Sequence, residues 1–175
     1  ENVPAGWAFS TLNVTGDSGS SVSGDIATLN VSPGETIVVT YTDTKNATVQ
    51  VVKNTIGGDG TFTFATTGTL AGQGSPAVPN PLSLTTAAGT GSSTFTFTNL
   101  PAAGSSLSFD ENVPAGWAFT TLNVTGDSGS SVSGDIATLN VSPGETIVVT
   151  YTDTKNATVQ VVKNTIGGDG TFTFA

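Results

Sequence analysis

The chain has no cysteine, histidine, methionine or arginine. Without cysteine neither a disulfide framework nor a thiolate metal site can form, and without histidine the commonest transition-metal ligand and neutral-pH base is missing. Most enzyme chemistry is thereby excluded: no metal, no cofactor and no turnover of an external substrate is expected. Positive charge is scarce as well. Four lysines stand against thirteen acidic residues, a net charge of −9, which argues against a nucleic-acid partner or an anionic membrane surface. No apolar run approaches the roughly 20 residues of a membrane-spanning helix. Direct membrane insertion by this segment is not expected, and no leader-like stretch opens it, although an interior segment of a longer protein would lack one anyway.

What is present is a repeat. Residues Glu1 to Ala65 return at Glu111 to Ala175 with one change, Ser10 becoming Thr120, so the period is 110 residues. Near-identical copies suit a spacing or mechanical task performed many times, whereas an enzyme needs one site. The expected organisation is one complete domain at 46–155, with the C-terminal part of a preceding repeat at 1–45 and the N-terminal part of a following repeat at 156–175. A period of this length is enough for an independent core. The linkers at residues 44–46 and 154–156 are so short that neighbouring domains should touch and form a stiff rod.

Helical periodicity is absent. Short Thr, Val and Phe-rich runs alternate with Gly, Pro, Ser and Asp turns, the pattern of an all-β, Ig-like sandwich. Eight strands are expected, at residues 48–53, 61–66, 81–86, 94–98, 107–111, 117–124, 136–141 and 146–153. Residues 142–145, Ser-Pro-Gly-Glu, read as a type II turn, and Gly58-Asp59-Gly60 suits a hairpin with positive φ. Period-2 alternation turns Phe62 and Phe64, Phe95 and Phe97, and Leu107 and Phe109 inward.

The same alternation carries three ionisable groups onto buried faces. Val49 and Val51 are followed by Lys53, Leu107 and Phe109 by Glu111, and Ile147, Val149 and Tyr151 by Asp153. Isolated charges in an apolar core are very costly, so the three side chains should meet. They form either a buried salt bridge, or strand-end groups that snorkel to solvent, or a reactive set. In the last case burial favours a neutral Lys53 amine beside a protonated Asp153, and attack on the carboxyl carbon gives an amide, with Glu111 moving protons.

Three stretches here resemble one known family. Val49-Gln50-Val51-Val52-Lys53, the box from Phe109 through Glu111 to Pro114, Gly116 and Trp117, and Val149-Thr150-Tyr151-Thr152-Asp153-Thr154 are similar to the signature segments of collagen-adhesin B-type domains. Asn112 stands where threonine is usual in the box, and Asp153 where asparagine is commoner. These are the prealbumin-like repeats of microbial surface adhesins and pili, tandem Greek-key β-sandwiches. The resemblance implies a spontaneous isopeptide bond between Lys53 and Asp153, assisted by Glu111 as proton shuttle. Glu1, Asp43 and Lys163 occupy the equivalent places in the partial repeats. It also implies an extracellular, cell-surface location and, as partners, neighbouring repeats of the same polypeptide and other copies in a fibre.

Other features are weaker. Asn13, Asn30, Asn46, Asn123, Asn140 and Asn156 each begin an Asn-x-Ser/Thr sequon, a candidate glycosylation site in a secreted protein. The acidic residues beside turns lack the clustered spacing of a calcium loop. Outward threonines are ordinary strand chemistry before they are an ice-binding array. The stretch from Gly68 to Pro79 has no aromatic or charged anchor and reads as a flexible surface loop. Two functions are therefore carried forward: a structural filament or adhesin stalk, and a repeated glycan- or protein-binding module acting by avidity.

Overall fold

A computed structural model describes residues 1–87, 91–102 and 104–175. Every regular element among them is a β-strand. The strands are β1 (Trp7–Thr15), β2 (Ser21–Ser23), β3 (Ile26–Thr28), β4 (Val38–Lys45), β5 (Ala47–Ile56), β6 (Thr61–Thr67), β7 (Leu82–Thr85), β8 (Ser92–Leu100), β9 (Ser105–Asn112), β10 (Trp117–Thr125), β11 (Ser131–Ser133), β12 (Ile136–Val141) and β13 (Thr146–Lys155). All eight strands expected between residues 48 and 153 are present. The short β11 was not anticipated.

Strands β5 to β13 build two sheets, with spatial orders β10-β13-β5-β8 and β11-β12-β9-β6-β7. The first strand of this set, β5, lies parallel to the last, β13, with Val49 opposite Ile147 and Lys53 opposite Tyr151. Every other pairing is antiparallel. Alternation along each strand puts one row of side chains between the sheets. Val49 and Val51, Phe62 and Phe64, Leu107 and Phe109, and Ile147, Val149 and Tyr151 are buried there, joined by Phe97, Leu100, Leu139 and Val141. The intervening Thr, Ser, Asn and Gln side chains face outward, which is the arrangement that half-buried strands need.

Two turns close on glycine. Gly144 has φ +75 and the Glu145 N–H donates to the Ser142 carbonyl, as the Ser-Pro-Gly-Glu turn requires. The hairpin expected at Gly58-Asp59-Gly60 is not formed: β5 and β6 lie in different sheets, so this turn carries the chain from one sheet to the other, with positive φ at Gly57 and Gly58. The stretch from Gly68 to Pro79 also differs from expectation. Leu70 and Val78 within it are buried, the Leu70 N–H donates to the Ser106 carbonyl, and Val78 exchanges backbone bonds with Gly72 and Gln73. Its two apolar side chains cap the sandwich, so it is a packed lid on one end of the core and not a free loop.

Residues 1–45 form a two-stranded sheet, β1 with β4, and a small hairpin, β2 with β3. Only Asn46 separates β4 from β5. Its N–H donates to the Gly6 carbonyl, the Gly144 N–H donates to the Lys45 carbonyl, and the Thr48 N–H donates to the Glu145 carbonyl. The join is thus held from both sides. Residues 156–175 form no strand and are exposed, although their sequence matches that of residues 46–65.

Phe97 is fully buried and stacks on Phe109 with a centroid separation of 6.3 Å. Phe97→Ala is expected to lower unfolding free energy by ~3–5 kcal/mol, read as a reduced urea midpoint with an unchanged slope.

Candidate functional site

Lys53, Glu111 and Asp153 converge. Lys53 ends the inward row Ala47, Val49, Val51 on β5, and Asp153 ends the row Ile147, Val149, Tyr151 on the neighbouring β13. Glu111 ends the row Leu107, Phe109 on β9, which belongs to the facing sheet. The lysine therefore reaches across the sandwich. Its Nζ lies 2.6 Å from Glu111 Oε1 and 2.9 Å from Asp153 Oδ2, and all three side chains are 0% exposed.

Aromatic rings wall the site. Lys53 Nζ stands 4.2 Å from the centroid of the Phe62 ring and 6.0 Å from that of Tyr151. Phe62 is held edge-on by Trp117 at 5.1 Å, and Phe64 packs on Tyr151 at 4.9 Å. The Tyr151 hydroxyl turns away and donates to the Phe109 carbonyl at 2.9 Å. Burial, reinforced by the nearby Glu111 charge, raises its pKa far above the usual tyrosine value and keeps it neutral.

The distances are short, yet none of the nitrogen and oxygen atoms of the three side chains makes a well-aligned hydrogen bond with any described residue. An ion pair can offset the loss of water only when its geometry is good and its remaining donors and acceptors are satisfied. This one falls short of that standard. Burial pushes the Glu111 carboxyl from 4.5 up to about 7, against the downward pull of the Lys53 amine beside it, with the Asp153 charge adding to the rise. Glu111 is thus poised to take or give a proton near neutrality.

The signal for the three ionisable residues was parity: each sits two positions beyond a run of inward apolar side chains. Phe62 was read only as core, and Trp117 only as part of the box motif. Nothing local in the sequence marks Phe62 as the ring beneath the amine, because that contact depends on β6 packing across the sandwich.

In the preceding partial repeat Glu1 lies close enough to Asp43 to be influenced by it, but it is exposed, unlike Glu111. Desolvation, then the charge and hydrogen bonding of Asp43, raise the Glu1 carboxyl. Lys163 is exposed and donates to the Asn164 carbonyl at 3.0 Å, with its Nζ 4.4 Å from the Phe172 ring centroid. It is not brought to a carboxyl pair. Among the sequons, Asn13, Asn30, Asn123, Asn140 and Asn156 are exposed, whereas Asn46 is half-buried at the join with its Oδ1 covered. Asp127 accepts from the Gly129 and Asn140 N–H groups, which accounts for it as a turn residue. No group of three or more metal-ligating acidic, His or Cys side chains occurs among the described residues, nor any helix long and apolar enough to cross a membrane.

A prealbumin-like fold domain profile matches residues 49–155, and the chain belongs to that family. Its match agrees with the resemblance to collagen-adhesin B-type repeats read from the three signature stretches. No curated protein matches the chain. Similar solved structures include a bacterial adhesin from Mobiluncus mulieris described as containing intramolecular disulfide, isopeptide and ester bond cross-links, 12% identical with a TM-score of 0.44, over 75% of this chain and 48% of that one. A major pilin protein (T-13) from Streptococcus pyogenes is 16% identical with a TM-score of 0.42, over 72% of this chain and 52% of that one. This chain spans about half the length of each.

The raised Glu111 value has a definite consequence for stability. Between about pH 4.5 and 7 the folded chain keeps a proton that the unfolded chain has released, so stability falls as pH rises through that window. In an Asp153→Ala chain, which cannot form the amide and leaves burial as the main cause of the shift, the urea midpoint should be lower above pH 7 than near pH 4.5. Adding Glu111→Gln should flatten that part of the dependence.

Proposed function

We propose that the chain is a stretch of an extracellular, cell-surface filament or adhesin stalk whose repeats each close on themselves through an amide between Lys53 Nζ and Asp153 Cγ. The observation that carries this reading is a fully buried amine within 2.9 Å of two fully buried carboxyl groups, with no well-aligned hydrogen bond to any described residue. The neutral amine attacks the carbonyl carbon of protonated Asp153, forming the C–N bond. Glu111 accepts a proton from Nζ and delivers one to the departing hydroxyl, which leaves as water. Amine and carboxylic acid thus become amide and water, with Glu111 returned to its starting state. A dry, ring-walled site favours this outcome, because the product has no charge on the former lysine and aspartate, whereas their ionised forms resist burial.

The linkage closes a loop of about 100 residues, and the chain-entropy estimate for a crosslink of that span is roughly 4.7 kcal/mol. It also sets the path of tension. Force entering through β4 passes along β5 to Lys53, crosses directly to Asp153 and leaves through the end of β13. The segment between Asp43 and Lys53 lies outside the closed loop but is almost wholly extended strand already. A strand rises ~3.3 Å per residue against a limit of ~3.6 Å, so little slack remains. Support also comes from the repeat itself and from the one-residue join, both suited to a rod. The chemistry is intramolecular and single-turnover, so no enzyme activity on an external substrate is proposed.

Intact mass spectrometry of the chain tests this reading. The expected mass is that of the sequence less one water, with no loss in Lys53→Ala or Glu111→Ala. A full-length mass in the unsubstituted chain overturns the amide. If the protein is made in a host that glycosylates, peptide mapping should find sugar at Asn123 and Asn140 and none at Asn46, whose side chain is enclosed by the join.

A further inference from the structure

The outer face of the β10-β13-β5-β8 sheet carries no ionisable side chain among the described residues, in a chain of net charge −9. One row across it reads Asn123, Thr150, Val52, Thr94, another Ala118, Thr154, Ile56, and the rest of the face is built from Thr, Val, Asn, Gln and Ser. The carboxylates of the complete repeat lie elsewhere. Asp110 is exposed on the outer face of the other sheet, and Asp59, Asp127, Asp135 and Glu145 sit in turns.

The face also continues from repeat to repeat. Along β4 the even-numbered side chains point outward, as do those of β5 from Thr48 to Asn54, and only the half-buried Asn46 stands between them, so the even positions from Val38 to Asn54 carry no charge. The one-residue join preserves the alternation.

We infer that this face is the lateral contact between two copies of the chain, packed sheet to sheet along their lengths. Two rods with this charge repel, and screening at physiological salt acts over only ~8 Å. Apposing the neutral faces keeps each copy's Asp110 a full sandwich thickness, ~10 Å, behind the contact. Any approach through the opposite sheet brings those carboxylates together. The side chains at the contact suit it as well, since Thr and Val are stiff and lose little rotamer freedom when covered. Strand spacing and rise give each repeat a patch of roughly 600 Å², below the ~800 Å² per partner of a standard stable interface. A single repeat is therefore too small to pair firmly, and several in series reinforce one another.

The test compares unglycosylated full-length protein carrying Thr150→Glu in every repeat with a control carrying Thr138→Glu, on the outer face of the other sheet. Glycan is omitted because sugar on Asn123 would stand in the contact. Sedimentation velocity and electron microscopy should show side-by-side association of the unsubstituted protein and of Thr138→Glu, stronger at physiological salt than at low salt, and its loss in Thr150→Glu. Thr150→Glu should still lose one water, which separates a failed contact from a failed crosslink. Absence of association in the unsubstituted protein, its persistence in Thr150→Glu, or its equal loss in Thr138→Glu overturns the inference. So does ice-growth inhibition that disappears in Thr150→Glu without any pairing of copies.

Discussion

A single amine enclosed between two acids organises this molecule. Lys53 can reach Glu111 only because β9 lies in the sheet opposite β5, and it can reach Asp153 only because β5 and β13 are parallel neighbours. The first and last strands of the repeat must therefore pair before the site exists. That pairing has a high contact order, and the loop it closes is the entire domain. The three ionisable side chains oppose the fold while they are charged and unsatisfied, and the amide proposed between two of them would remove that opposition. The aromatic wall of Phe62, Trp117, Phe64 and Tyr151 contributes by excluding water, which intensifies every electrostatic interaction inside.

Much of this was legible in the sequence because a strand's side-chain period is an integer. Once Val49 and Val51 are inward, Lys53 must be, and the same count places Glu111 and Asp153 without any knowledge of sheet order. The closing of Gly68 to Pro79 over the core was not legible, since Leu70 and Val78 are too isolated for any periodicity and find their places only through bonds to β9 and within the loop. Strand β11 escaped for a similar reason: Ser131-Val132-Ser133 is three exposed residues, defined only by pairing with β12.

The repeat supplies an internal control on what local sequence can do. Residues 46–65 and 156–175 are identical, yet the former make β5 and much of β6 while the latter make no strand. Likewise β12 runs to Val141, where β9 pairs with it, whereas its copy β3 stops at Thr28. Propensity is equal in each pair, so the difference lies in whether neighbouring strands are there to pair with. The charge distribution has the same character. A list of acidic residues shows only a strongly negative chain, and sheet topology is what leaves one outer face neutral, with the acids in turns, in the core and, as Asp110, on the other sheet.

Tandem mass spectrometry of a proteolytic digest tests the central claim most directly. The account predicts a branched peptide in which the segment around Lys53 is joined to the segment around Asp153, lighter by one water than its two linear parts and absent from a Glu111→Ala digest. Recovery of both segments only as linear peptides, with the Lys53 amine free to react with an amine reagent after unfolding, would contradict it.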